Sequence, residues 1–197
     1  MCNFNDAKDF IERSKGIIMS AEFKEKNIDK YCINKLIEEG LIERYQKGVY
    51  VRSDVFEDPY YILQKSNPSI MFSYNTALYF LNKTEKTPET IDITVYKGYN
   101  AHRFSNRVQV HYIKKENLKL GAICIQTPFG FEVTSYDCER TMCDFIRSNK
   151  TGIDKEQSNK FIREMFSEKQ VDTIKLIKYA KALRCESKVR AIMEVFI

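Results

Sequence analysis

Residues 16–51 read GIIMSAEFKEKNIDKYCINKLIEEGLIERYQKGVYV, two short helices and a strand pair compressed into one run. Ser20 is a good N-cap and predicts a helix over Ala21–Lys26, with Asn27 and Ile28 as the turn. Asp29 caps a second helix running to Glu39, which Gly40 stops. Leu41 to Tyr45 alternates as a strand, Gln46-Lys47-Gly48 is a tight turn, and Val49-Tyr50-Val51 returns. Helix, turn, helix and hairpin in this order and length fit a winged helix-turn-helix.

The second helix is two-faced. Ile28, Cys32, Ile33, Leu36 and Ile37 fall at helical spacing and predict its core side. Lys30, Tyr31, Asn34 and Lys35 occupy the other side near its N-terminal half, the half that enters the major groove in a helix-turn-helix. Asn and Lys hydrogen-bond base edges, Lys neutralises phosphate, and Tyr hydrogen-bonds phosphate or stacks. Arg44 and Lys47, on the hairpin and its tip, are the candidate phosphate contacts of the wing. The same pattern also suits a protein-docking module with a solvated lysine face. Residues 1–51 carry nine Lys/Arg and nine Asp/Glu, so any DNA affinity rests on a local patch, not on net charge.

Around this run, 197 residues fit one large or two small domains. The formal charge of +5 lies entirely after Val51 and is compatible with an acidic partner. No apolar run approaches the ~18 residues of a membrane span, and residues 1–6 lack the pattern of a signal peptide. Cys2, Cys32, Cys124, Cys138, Cys143 and Cys185 form no CxxC pair, and His102 and His111 are the only histidines. The simplest expectation is reduced, mostly buried thiols in a cytoplasmic protein, without a zinc site or cofactor.

Upstream, Asp6 to Arg13 reads as a helix with Ala7, Phe10 and Ile11 inward. Arg52 to Pro59 is polar and turn-rich and is the expected linker, dividing a domain at 1–55 from one at 56–197. Tyr60 to Lys65 is a short helix ended by Asn67-Pro68. Ser73 caps a helix from Tyr74 to Leu81. Ile91–Val95, Val108–Tyr112, Ile123–Gln126 and Phe131–Thr134 alternate as strands, the last two joined by Thr127-Pro128-Phe129-Gly130. These predict a small sheet of about four strands. Asp137, Asp154, Asp172 and Ser187 are the expected caps of four C-terminal helices. Ile174, Leu176, Ile177, Ala180 and Leu183 are the buried set of the third, and Val189, Ile192, Met193 and Phe196 that of the last. The fold class is α+β: a winged helix-turn-helix, then a mixed domain with a small sheet and a C-terminal helical bundle.

Five stretches in this order resemble the AbiEi family, antitoxins of type IV toxin–antitoxin systems in abortive phage infection. They are Gly16-Ile17-Ile18 with Lys47-Gly48-Val49-Tyr50-Val51; Phe72 to Leu78; Ile91 to Val95 with Gly98-Tyr99-Asn100; Thr127 to Gly130; and Tyr136 to Asp144. Where many members have His-Glu, this chain has Tyr74-Asn75. The resemblance implies a repressor, without enzymatic activity, that binds inverted repeats in its own promoter through the winged helix. It also implies a functional link to a nucleotidyltransferase-like toxin, counteracted through the C-terminal domain, and a stable complex between the two is not required. The alternative is a regulator with no toxin partner, whose C-terminal domain senses a ligand or a protein.

Other residues carry candidate chemistry. Asp137, Glu139 and Asp144 could draw a hard cation, but Asp137 is placed to cap a helix and Arg140 to pair with Asp144 four residues on. A nucleic-acid-processing enzyme would need that cluster to bind metal. His111 falls on the polar face of a strand and His102 in a loop, so both read as solvated. Lys175, Lys178, Lys181 and Arg184 recur every three residues and form a candidate second patch for nucleic acid or an acidic partner.

Overall fold

The computed structural model describes residues 4–148 and 155–196. The chain is mixed α and β with small sheets and C-terminal helices. It divides into two compact units, Met1–Pro68 with Thr127–Phe131, and Ser69–Gln126 with Glu132–Ile197.

The first unit runs α1 (Phe4–Arg13), β1 (Ile17–Met19), α2 (Ser20–Glu25), α3 (Lys30–Glu38), β2 (Ile42–Gln46), β3 (Val49–Arg52) and α4 (Pro59–Ser66). Its antiparallel sheet has the order β1-β3-β2. Strand periodicity gives that sheet two covered faces. Ile18, Ile42 and Tyr50 join Ala7, Ile11, Phe23, Cys32 and Leu36 from the three helices and Ile28 from the turn between α2 and α3. Phe23 anchors this layer, edge-on to Phe10 at 5.6 Å and to Tyr50 at 5.4 Å. The alternate residues Ile17, Val49 and Val51 pack with Ile62 of α4 and with Phe131.

The second unit contains β4 (Met71–Phe72), α5 (Tyr74–Phe80), β5 (Ile91–Tyr96), β6 (Val108–Ile113), a 3-10 turn (Lys115–Asn117), β7 (Ala122–Gln126) and β8 (Glu132–Tyr136). Helices α6 (Cys138–Arg147), α7 (Lys155–Ser167), α8 (Thr173–Ala182) and α9 (Glu186–Phe196) follow. The strand order is β6-β5-β4-β8-β7. β5 runs parallel to β6 and β4 to β8, and the other neighbours are antiparallel. Tyr74, Leu78, Tyr136, Met142, Phe145, Phe161, Met165, Leu176 and Val189 lie in its core.

Several expectations need correction. The helix expected from Ala21 starts at Ser20, and Met19 is its N-cap; the Glu22 carboxylate accepts from the Met19 amide at 2.7 Å. Strand β1 has no counterpart in the sequence pattern, since three residues cannot display a period. The sheet expected to have about four strands has five, because the two-residue β4 is equally cryptic. The expected linker contains Asp58, fully buried at the head of α4. The first unit therefore extends beyond residue 55 to Pro68. Ser187 lies inside α9, which begins at Glu186. Ile174 is 84% exposed and Phe196 39% exposed, although helical spacing places both inward. The cap expected at Asp154, and Cys2 with the N-terminal residues 1–3, fall outside the described residues.

Candidate nucleic-acid interface

Asp29 starts α3: its carboxylate accepts from the Cys32 amide at 2.9 Å. That bond holds the Asp29 carboxyl below its ordinary range. Asn27, in the left-handed region at φ 55°, turns the chain tightly between α2 and α3. Cys32 and Leu36 then bury against α1 and the sheet, which commits the opposite side of α3 to solvent.

Lys30, Tyr31 and Asn34 are exposed on that side, Tyr31 at 74%. Lys35 is not their equal. At about 100° per residue it falls at the margin of the face, and its ammonium sits 4.2 Å from the centre of the Phe4 ring. Glu38 shares the exposed face one turn beyond Asn34, so the cationic and amide groups are confined to the N-terminal half of the helix. Arg44 and Lys47 are exposed on β2 and its turn, beside Tyr45, which is 46% exposed. The ladder shifts register between Arg44 and Gln46, a bulge that adds twist next to the tip. Gly48, at φ 80°, completes the turn. One unit thus presents five candidate contacts in the open and holds Lys35 on an aromatic ring.

The second candidate patch divides in the same way. Lys178, Lys181 and Arg184 are exposed. Lys175 instead bridges Asp137 and Glu139, 3.0 Å from a carboxylate oxygen of each. Partial burial opposes its charge, but the bonds to the two carboxylates outweigh that and raise its pKa above the usual lysine value. Asp137 caps α6, accepting from the Arg140 amide at 2.8 Å and from the Tyr179 hydroxyl at 3.1 Å. Glu139 accepts from the Asp172 amide at 3.1 Å, and Asp172 caps α8 through the Lys175 amide at 2.9 Å. Arg140 pairs with Asp144 at 3.0 Å, as its spacing predicts. Arg140 is fully buried, donates to the carbonyls of Asn117 and Leu120, and lies 3.9 Å from the centre of the Tyr136 ring. These carboxylates are occupied by caps and cations, and no three His, Cys, Asp or Glu are grouped to hold a metal among the described residues.

His111 is the clearest departure from expectation. It is 4% exposed; its Nε2 lies 2.6 Å from Asp92 Oδ1, and its ring stacks on Tyr74 at 3.9 Å. Asn75 donates to the other Asp92 oxygen at 3.1 Å, and Thr76 Oγ1 accepts from the Asp92 amide at 2.8 Å. The alternation of β6 places His111 opposite Tyr112, but both faces of the strand are partly covered, so polarity alone misassigns the outer one. Sequence reasoning passes over Asp58 too. Its Oδ1 accepts from the Tyr60 and Tyr61 amides, and its Oδ2 from the Thr127 hydroxyl at 2.6 Å. Burial outweighs these bonds and raises its pKa. The acid before Pro59 is the available signal, since Pro at the first helical position commonly follows a capping residue. His102 is exposed, as expected.

No protein-family model matches the chain, and no curated protein matches it either. No helix among the described residues is long and apolar enough to cross a membrane.

Proposed function

We propose that the first unit is a winged helix-turn-helix that binds double-stranded DNA, and that the chain is a repressor of its own promoter. α3 is the recognition helix and the β2–β3 hairpin the wing. One observation carries this reading: Lys30, Tyr31 and Asn34 stand exposed together on the N-terminal half of a helix whose other side is core. Asn34 suits a base edge, Lys30 a base or phosphate, and Arg44 and Lys47 the flanking phosphates. With the resemblance to AbiEi antitoxins, this makes the protein the repressing half of a type IV pair, counteracting a nucleotidyltransferase-like toxin through its second unit without chemistry of its own.

The test is a salt series of binding to the upstream promoter duplex and to a scrambled duplex. Selective binding is expected. Asn34→Ala should weaken it about tenfold or more, the value of one good base-edge hydrogen-bond pair. Lys30→Ala and Lys47→Ala should each lower the salt slope by about 0.9. Lys35→Ala should do less than either, because its ammonium rests on Phe4. Equal binding to both duplexes, insensitive to Asn34, would make the unit a docking module instead.

A further inference from the structure

The connection between β5 and β6 is unusual for parallel neighbours, which are ordinarily joined through a helix. Here residues 97–107 make the crossover without one. Long irregular connections are where binding residues concentrate. This one and the segment following β6 are strongly cationic. Residues 97–119 hold Lys97, Arg103, Arg107, Lys114, Lys115 and Lys119 against the single carboxylate of Glu116, a local excess equal to the +5 of the whole chain. All six cations are exposed. Lys97, Arg107 and Lys119 meet no carboxylate among the described residues, and Lys114 reaches Glu116 only at 3.4 Å.

Aromatic rings are interleaved with these charges. Tyr99 lies edge-on to Tyr96 at 5.5 Å and parallel to Phe104, with centres 6.1 Å apart and planes within 10°. The Arg103 guanidinium is 5.5 Å from the Tyr99 ring and 5.9 Å from the Phe104 ring, and Lys115 lies 5.8 Å from that of Tyr96. Tyr112, 43% exposed, adds a further ring on β6, the edge strand of the sheet. An acidic protein surface needs the cations alone. Cations on the crossover before the edge strand and on the segment after it, with the half-exposed rings of Tyr99 and Phe104 among them, match a chain of phosphates carrying unstacked bases.

We propose that the second unit carries a binding platform for single-stranded polynucleotide, centred on Tyr99, Arg103 and Phe104 and flanked by Lys97, Arg107 and Lys119. The platform goes beyond the duplex-binding reading of the first unit. Bases stack on the rings while the lysines and arginines track the backbone.

Fluorescence anisotropy of the full chain with labelled oligouridine, oligothymidine and the promoter duplex tests this. Tyr99→Ala/Phe104→Ala should weaken both single strands about tenfold or more, with little change in salt slope. Lys97→Glu/Arg107→Glu/Lys119→Glu should lower that slope by about 0.7 for each phosphate no longer neutralised. Tyr99→Phe/Phe104→Tyr keeps both rings and should bind as the wild type does, which separates lost stacking from a damaged fold. Lys30→Ala should weaken the duplex and spare the single strands, so a failure of the promoter reading shows separately. Tighter binding of oligouridine identifies RNA as the source of the strand, and tighter binding of oligothymidine identifies DNA. Wild-type affinity after loss of both rings would overturn the platform and leave a general polyanion or acidic-protein surface. So would equal loss of duplex and single strand in the charge variant.

Discussion

The two units solve burial differently. In the first, Phe23, Leu36 and their neighbours form an apolar layer, and the polar groups of α3 are left in solvent. In the second, Arg140, Asp144, Asp92 and His111 lie inside, each matched by hydrogen bonds or an opposite charge. An apolar core tolerates changes of shape at modest cost. A core threaded by charge is intolerant of losing one partner, because the other is stranded in a low-dielectric interior.

The largest test of that contrast is Arg140→Ala, expected to cost about 3 kcal/mol by leaving the buried Asp144 with only the longer contact to Arg147 at 3.3 Å and by leaving the carbonyls of Asn117 and Leu120 without their donor. The double change Arg140→Met/Asp144→Leu should recover much of this, since it removes both charges. In the first unit Leu36→Ala should cost about 2–5 kcal/mol as a cavity, and Leu36→Met less than about 1.5 kcal/mol. Denaturant melts with hydrogen exchange locate each loss. A double variant as unstable as Arg140→Ala would mean that packing, not charge, dominates both units.

Smaller effects sharpen the contrast through pH. Lys175 has a raised pKa in the folded state, so the stability it contributes is complete below about the ordinary lysine value of 10.5 and fades as pH rises through the folded value. Thermal melts of wild type and Lys175→Met should converge on that alkaline limb. Asp58 gives the acid counterpart. Its raised folded pKa favours the native state below the ordinary carboxyl value of 3.8, and that advantage is lost as pH rises through the folded value. Asn can keep the cap without the charge, so Asp58→Asn should gain on the wild type across that rise. Parallel acid profiles would remove Asp58 as the source.

This contrast also explains what the sequence disclosed. The helices, the β2–β3 hairpin and the Asp29, Asp137 and Asp172 caps follow from local rules, and the structure has them. The outward positions of Lys30, Tyr31 and Asn34 are legible because Cys32 and Leu36 mark the inward side of the same helix. His111 is not legible, since its partner Asp92 lies on another strand and its stacking partner Tyr74 on a helix. The resting places of the Lys35 and Lys175 ammoniums are not legible for a similar reason. Helical spacing reports direction, whereas Phe4 and the Asp137–Glu139 pair, which decide where those ammoniums rest, lie far away in the chain. The aromatic crossover has no period at all and becomes conspicuous only once β5 and β6 are known to be parallel.

The membership of Thr127–Phe131 in the first unit bears on how the protein emerges from the ribosome. When Pro68 has left the exit tunnel, Asp58 still lacks the Thr127 hydroxyl, and the layer of Ile17, Val51 and Ile62 still lacks Phe131. At about 5–20 residues per second the missing strip arrives several seconds later. A nascent chain or a proteolytic fragment ending at Pro68 would therefore carry an unfinished apolar side, a natural point for chaperone capture.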